Sequence, residues 1–326
     1  MNGKGYLAKF HSLSVLVVGD LMLDEYIYGQ ATRVSQEAPV MVVKQTKVSS
    51  VPGGAANVAM NLMSLGAKTG IIGIAGQDSA GDDLENSLKL SGIDPILIQR
   101  DPARPTTRKT RVVANHSHQV LRIDHEDDRP IPEAIAQQMI AQVEANSEGR
   151  DVILLSDYQK GAIPQNVIEQ IIAFGRKKGL PVVANAKPGT LACYKGAAMV
   201  SLNRFEASAA VGSSKPIGDD QAASVASMLR EQYNIDNLVV TLGGSGMVVA
   251  ASGGKVAQVP AVRVDVYDEA GAGDTVIATL ALCSALGPLT ETSLYLATHT
   301  AASVVRKPGV AVPSSDDLEQ IGRILG

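Results

Sequence analysis

From residue 151 onward, short apolar runs alternate with helix-length segments, and each run stops on polar or glycine residues. Residues 152–156 lead into Asp157-Tyr158-Gln159-Lys160-Gly161, and 180–184 into Asn185-Ala186-Lys187-Pro188. Residues 198–202 lead into Asn203-Arg204-Phe205-Glu206, and 237–241 into Leu242-Gly243-Gly244-Ser245-Gly246. Residues 164–178 and 219–233 read as helices. Short, wholly apolar runs suit strands buried on both faces, and crossover helices between them make those strands parallel. The pattern predicts an α/β fold: a doubly wound, mostly parallel sheet whose carboxyl edge gathers the polar loops, where such sheets bind ligands. Residues 14–20 have the same form and end in Gly19-Asp20, with rough alternation over 21–29. Asp24 therefore falls just past the carboxyl end of the first strand. Residues 69–76 read as the next strand and 80–92 as a helix.

Two stretches break the rhythm. Residues 30–51 and 105–124 are β-rich and partly alternating, and the second reads as a hairpin with a polar turn at 115–118. They predict a small β-sheet lid inserted into one domain spanning residues 1–326. The exposed apolar face of such a lid needs a partner, so homodimerisation through it is expected. No linker, internal repeat or low-complexity tract divides the chain.

Two glycine turns open helices. In Asp268-Glu269-Ala270-Gly271-Ala272-Gly273-Asp274, small residues stand directly before an apolar run that stops at Gly287-Pro288. Unpaired N–H groups and the helix dipole make such a terminus an anion cradle. A carboxylate placed there, Asp274, suits a base that accepts the proton of an attacking hydroxyl. In Pro52-Gly53-Gly54-Ala55-Ala56-Asn57 the tiny residues permit close approach of a ligand, and Asn57 offers both a donor and an acceptor.

Composition excludes other classes. The 326 residues are 45% hydrophobic and carry a net charge of −4 with mixed signs, giving no electrostatic case for nucleic acid or a membrane surface. With no Trp and three Phe, base-stacking platforms are not expected. Cys193 and Cys283 lack paired spacing and read as reduced core thiols of a cytoplasmic protein. The N-terminus lacks a signal-peptide pattern, and no apolar run is long enough to span a bilayer. His116, His118 and His125 lie close in sequence without a further ordered ligand, and read as solvent-facing rather than zinc-binding.

Together these motifs resemble the ribokinase/PfkB carbohydrate kinases over essentially the whole chain. The matches are Gly19 to Asp24, Gly53-Gly54-Ala55-Ala56-Asn57, Asn203-x-x-Glu206, Thr241-x-Gly243-x-x-Gly246 and Asp268-x-x-Gly271-Ala272-Gly273-Asp274. Residues 34–40, 52–61, 155–161 and 267–277 resemble more particularly the bacterial D-glycero-β-D-manno-heptose-7-phosphate kinases, without the nucleotidyltransferase to which many are fused. The resemblance implies ATP and Mg²⁺ as cofactors, with Asp274 as base and Gly271, Ala272 and Gly273 as anion hole. It places Asn203 and Glu206 at Mg²⁺, partly through water, and Asp268 near a monovalent cation such as K⁺. Asp24, Gly53, Gly54 and Asn57 would contact the sugar. Lys187, Asn203, Glu206, Thr241, Gly243 and Gly246 would contact the nucleotide. A sugar already carrying a phosphate needs cations, for which Lys109, Arg111 and Lys160 are candidates, with Arg33, Arg122 and Lys187 behind them. Three departures stand out: Asn185-Ala186-Lys187 where these kinases read Asp-Pro-Lys, Leu202 where they read Pro, and Glu269-Ala270 where they read Val-Thr. A kinase of another sugar or nucleoside, or a non-catalytic binding relative, is the alternative.

Overall fold

The chain opens with a short helix, α1 (Gly3–Phe10), followed by one strand of 21 residues, β1 (Ser14–Val34). β1 joins two sheets, where the sequence suggested a strand and a separate alternating segment. The computed structural model describes residues 1–115 and 118–326. After β1 come β2 (Met41–Gly54), α2 (Ala55–Ser64), β3 (Lys68–Gly76), α3 (Ser79–Leu90) and β4 (Ile96–Asp101). A hairpin follows, β5 (Thr107–Ala114) and β6 (His118–His125). His116, at its turn, lies outside the described residues. The second half runs α4 (Glu133–Ala145), β7 (Val152–Ser156), α5 (Gln165–Lys178), β8 (Val182–Asn185), β9 (Met199–Asn203), α6 (Arg204–Ala210) and α7 (Asp219–Gln232). It closes with β10 (Asn237–Thr241), β11 (Met247–Ala251), β12 (Val256–Val259), α8 (Ala272–Ala285), α9 (Glu291–Val304) and α10 (Ser315–Ile324).

The main sheet has the order β12-β11-β10-β9-β8-β7-β1-β3-β4. It is parallel from β10 to β4, and β11 and β12 add an antiparallel edge. Alternation along β1 sends Val15 and Val17 into one core and Leu16 and Val18 into the other. The first core holds apolar residues of α1, α2, α3, α8, α9 and α10, and the second those of α4, α5, α6 and α7. This is the doubly wound α/β sandwich that the sequence predicts. α8 is buried from Asp274 through Cys283, which is why its sequence carries almost no amphipathic signal.

The small sheet is β2-β1-β5-β6, with β1 antiparallel to β2 and parallel to β5. It takes in residues from 21 onward, more of β1 than the sequence marked. Register sets its two faces. Asp24, Lys109 and Asp124 lie in one row, and Tyr26, Arg111 and Arg122 in the next on the same face. On the opposite face Val48, Ile27, Val112 and Leu121 form an apolar row across all four strands. Val48 and Leu121 are exposed. Both cysteines are free thiols, Cys283 buried and Cys193 half-buried.

Candidate active site

The glycine turn sets the centre of the site. Gly271 is the N-cap of α8 with φ 83°, a conformation that favours glycine. A Cβ there would also come within 2.9 Å of Asn57 Nδ2. Ala272 N–H is turned to Glu269 O at 3.3 Å and does not line the cavity, and Thr275 N–H opens the ladder on Gly271 O at 3.0 Å. The Gly273 and Asp274 N–H groups between them are therefore the donors the turn presents, with the positive potential of the helix end. Asp274 follows in that first turn, 4% exposed.

Both oxygens of Asp274 are held. Asn57 donates from Nδ2 to Oδ2 at 2.7 Å, and the Tyr158 hydroxyl donates to Oδ1 at 2.6 Å. Asn185 Nδ2 lies 3.4 Å from Oδ1. Burial pushes the Asp274 carboxyl up to about 6, while the bonds from Tyr158 and Asn57 hold it down. Asp24 adds a smaller upward push and Lys187 a downward one. Burial, then the neighbouring carboxylate, drives the Tyr158 phenol well above its ordinary value, so it stays protonated and donates. A carboxylate titrating near 6 is ionised at neutral pH yet more basic than an exposed one, which suits a general base. Asn185 brings an amide donor beside Asp274, where a carboxylate would add repulsion.

Asn57 is fixed from behind. Asn61 donates to Asn57 O at 2.9 Å and Oδ1 at 3.3 Å, and Thr275 Oγ1 donates to Asn61 Oδ1 at 2.7 Å. This buried chain joins α2 to α8 and sets which way the Asn57 amide points.

On one side of Asp274, the ends of β8, β9 and β10 meet the turn around a cavity of about 180 Å³. Asn185, Lys187, Asn203, Glu206 and Thr241 line it, opposite Gly271, Gly273 and Asp274. Tyr158 and Ser201 line it too, and neither was among the residues singled out from sequence. Asn203 and Glu206 form the capping box of α6: Glu206 N donates to Asn203 Oδ1 at 2.9 Å, and Asn203 N to Glu206 Oε2 at 2.7 Å. The other Glu206 oxygen pairs with Lys187, whose ammonium also lies 5.1 Å over the Tyr158 ring. Gly243 and Gly246 shape the turn after β10 but do not line this cavity.

On the side of the small sheet, Asp24 pairs with Arg111, which lies 5.4 Å over the Tyr26 ring. A Cβ on Gly53 would sit 2.0 Å from Asp24 Oδ2, so glycine is required for the carboxylate to pack there. Gly54 closes β2 with φ 57°. Lys160 bonds Glu126 at 2.6 Å, and Lys109 lies 4.0 Å from the other Glu126 oxygen and 3.9 Å from Asp124. That second Glu126 oxygen is buried without a hydrogen-bond partner among the described residues. Lys109 and Lys160 thus converge on one acidic side chain. Arg122 pairs with Asp124 on the exposed side of β6, and Arg33 is exposed near the tip of β1.

Asp268 stands behind the turn. Its carboxylate accepts from Ala270 N at 2.9 Å and Gly309 N at 3.2 Å, and Val310 N donates to the Tyr26 hydroxyl at 3.0 Å. Among the described residues, no group of three or more His, Cys, Asp or Glu side chains could hold a metal ion. His118 and His125 are exposed.

A doubly wound sheet thus brings a glycine turn, a buried carboxylate at a helix N-terminus and a small sheet together at its carboxyl edge. The chain belongs to the pfkB family of carbohydrate kinases, whose family model matches residues 12–317. It is 40% identical over 309 residues to the bifunctional protein HldE of Bradyrhizobium sp. (strain ORS 278), covering 94% of this chain and 63% of that protein. It is 37% identical over 318 residues to the protein of the same name from Geobacter sulfurreducens, covering 97% and 64%. The chain therefore spans somewhat less than two thirds of these relatives. Among solved structures it is similar to phosphofructokinase-2 from Escherichia coli in complex with potassium, with a TM-score of 0.79, 20% identity, and 96% and 98% of the two chains covered. It is also similar to Arabidopsis thaliana ribokinase complexed with ribose and ATP, with a TM-score of 0.72, 18% identity, and 95% and 99% covered. These two likenesses concern the fold.

Proposed function

We propose that the chain transfers the terminal phosphoryl group of ATP to a hydroxyl of a phosphorylated sugar, D-glycero-β-D-manno-heptose 7-phosphate, giving the 1,7-bisphosphate. The observation that carries the chemistry is Asp274. It is an ionised, buried carboxylate in the first turn of α8, with both oxygens oriented and the glycine turn at Gly271 and Gly273 beside it. In-line phosphoryl transfer needs positioning and charge neutralisation more than covalent chemistry. Asp274 would take the proton of the attacking hydroxyl while the α8 amides neutralise charge developing on the phosphoryl oxygens.

Asp24, Gly53, Gly54 and Asn57 surround the sugar position, and Arg111 fixes the Asp24 carboxylate. Lys109 and Lys160 would receive the sugar phosphate, exchanging Glu126 for it. The resemblance over 34–40, 52–61, 155–161 and 267–277 supports a heptose phosphate over other sugars. Lys187, Thr241, Gly243 and Gly246 border the nucleotide. Mg²⁺ keeps most of its waters and needs few protein ligands, so Glu206 and Asn203 suffice to hold it through water beside the phosphates. Bound there, it would neutralise phosphate charge. Asp268 and the 309 turn would border a monovalent cation, K⁺ being the candidate.

The small sheet is read as a lid that excludes water from the site. Its apolar outer row and the edges of β2 and β6 support pairing with a second copy. No helix among the described residues is long and apolar enough to cross a membrane, and free thiols suit the cytoplasm.

The test is ADP release with Mg-ATP across heptose 7-phosphate, fructose phosphates, ribose, nucleosides and no sugar. Stimulation by the heptose phosphate alone is expected. Stimulation by a different sugar overturns the substrate, and silence across the panel with ATP still bound overturns turnover itself. Asp274→Asn should lower kcat by roughly a thousandfold or more while leaving ATP affinity within a few-fold.

A further inference from the structure

The loop after β7 is held with unusual force. Asp20, buried at the end of the β1 segment in the main sheet, accepts from the backbone N–H groups of Tyr158 at 2.7 Å, Lys160 at 3.1 Å and Ala162 at 3.0 Å. Asp157, also buried, accepts from Gln159 N at 2.8 Å, from Thr190 Oγ1 at 2.5 Å and from the Tyr194 hydroxyl at 3.2 Å. Gln159 adopts φ 54°, a conformation disfavoured for a side-chain-bearing residue. Two buried carboxylates and one strained residue fix a loop that carries no core-filling apolar side chain between Asp157 and Gly161. What the arrangement does fix is the Tyr158 ring, clamped under the Lys187 ammonium with its hydroxyl 2.6 Å from Asp274 Oδ1. Space filling alone would not require a hydroxyl at that point.

We propose that Tyr158 is a positioning residue for the proposed base: its hydroxyl orients the Asp274 carboxylate and keeps it ionised. This rests on Asp274 being the base. The groups facing Asp274 are Asn57 from α2, Tyr158 from the β7 loop, Asn185 from the end of β8, and the charges of Asp24 and Lys187. Tyr158 and Asn57 make the two shortest bonds to it. A carboxylate oxygen has two lone pairs: Tyr158 and Asn185 face those of Oδ1, whereas Oδ2 carries the single Asn57 bond and keeps one to accept from an incoming sugar hydroxyl.

The sign of the effect follows. A hydrogen bond to the ionised form lowers a carboxyl pKa, so losing it raises that pKa. The base works ionised, and activity falls as pH drops through its pKa. Tyr158→Phe should therefore move the acid limb of the kcat/KM profile to higher pH, by roughly one unit, which lowers activity about twofold at pH 7 and about tenfold at pH 5. The KM for ATP should change little. Lowered activity at every pH with an unmoved acid limb would overturn the proposal, because that is what general loosening of the loop produces. Thermal unfolding of the variant, measured alongside, shows that it is folded. Asp274→Asn in the same assay separates the two readings. If it is silent while the Tyr158→Phe limb stays put, the base stands and the role of Tyr158 falls. If it still turns over with the acid limb of wild type, both fall.

Discussion

Asp274 illustrates how a buried carboxyl gains basicity at the expense of stability. Its ionised form is favoured by two side-chain donors and opposed by burial, and burial wins, since its pKa rises from 3.8 to about 6. A carboxyl whose folded pKa lies above the unfolded value favours folding most below the unfolded pKa. That contribution is lost as pH rises through the folded one. The wild-type chain at pH 8 thus carries a cost of at most about 3 kcal/mol that a neutral side chain would not. Asp274→Asn is expected to melt several degrees higher than wild type at pH 8, the gap closing toward pH 4. Thermal melts at the two pH values check this, and an equal gap at both would show that ionisation is not the cause. In the sequence Tyr158 is one residue of a polar loop after a buried strand. Nothing local distinguishes it, because its partner lies 116 positions away.

Among elements, the decisive contact is between α2 and α8. Both begin in glycine turns, and both turns were legible because tiny residues in a row have few other reasons to open a helix. Their mutual placement was not legible. It depends on Asn57 meeting Asp274, and Asn61 meeting Thr275, across 217 and 214 positions of sequence. Thr275→Val keeps the side-chain volume, removes the donor and strands Asn61 Oδ1 in a buried place. It should lower the stability toward denaturant by roughly 1–3 kcal/mol. It should also lower kcat more than it raises the sugar KM, because the Asn57 amide loses its stop. A denaturant midpoint within error of wild type would show that the chain of amides contributes nothing measurable. The Asn203-x-x-Glu206 spacing has a plain structural reading beside its proposed nucleotide role, since the same four residues cap α6.

At the scale of the molecule, the small sheet has two unlike faces. One presents Asp24, Lys109 and Arg111, and the other the apolar row from Val48 to Leu121. Strand alternation alone produces this division, so one sheet can serve a ligand and a second subunit at once. Leu121→Glu places a charge in the outer row, far from the ligand face. In sedimentation or light scattering it is expected to shift a dimer toward monomer at micromolar concentration. An unchanged mass would remove the outer row from the interface.

The sequence alone determined the sandwich, because buried parallel strands and their helices carry their periods locally, and successive strand ends announce the ligand edge. It also marked the two glycine turns and Asp274. β4, the β11–β12 edge, α4 and the terminal helices had no comparably sharp local signal. Only the tertiary structure decided which side chain faces which: Tyr158 on Asp274, Arg111 on Asp24, Lys109 and Lys160 on Glu126. Those pairings are set by strand order and by register between β1 and β5. A single strand shared by both sheets ties Asp24 to the sheet edge beside Asp274. Local propensity has no information about such distances, since they arise only when segments far apart in the chain share one core.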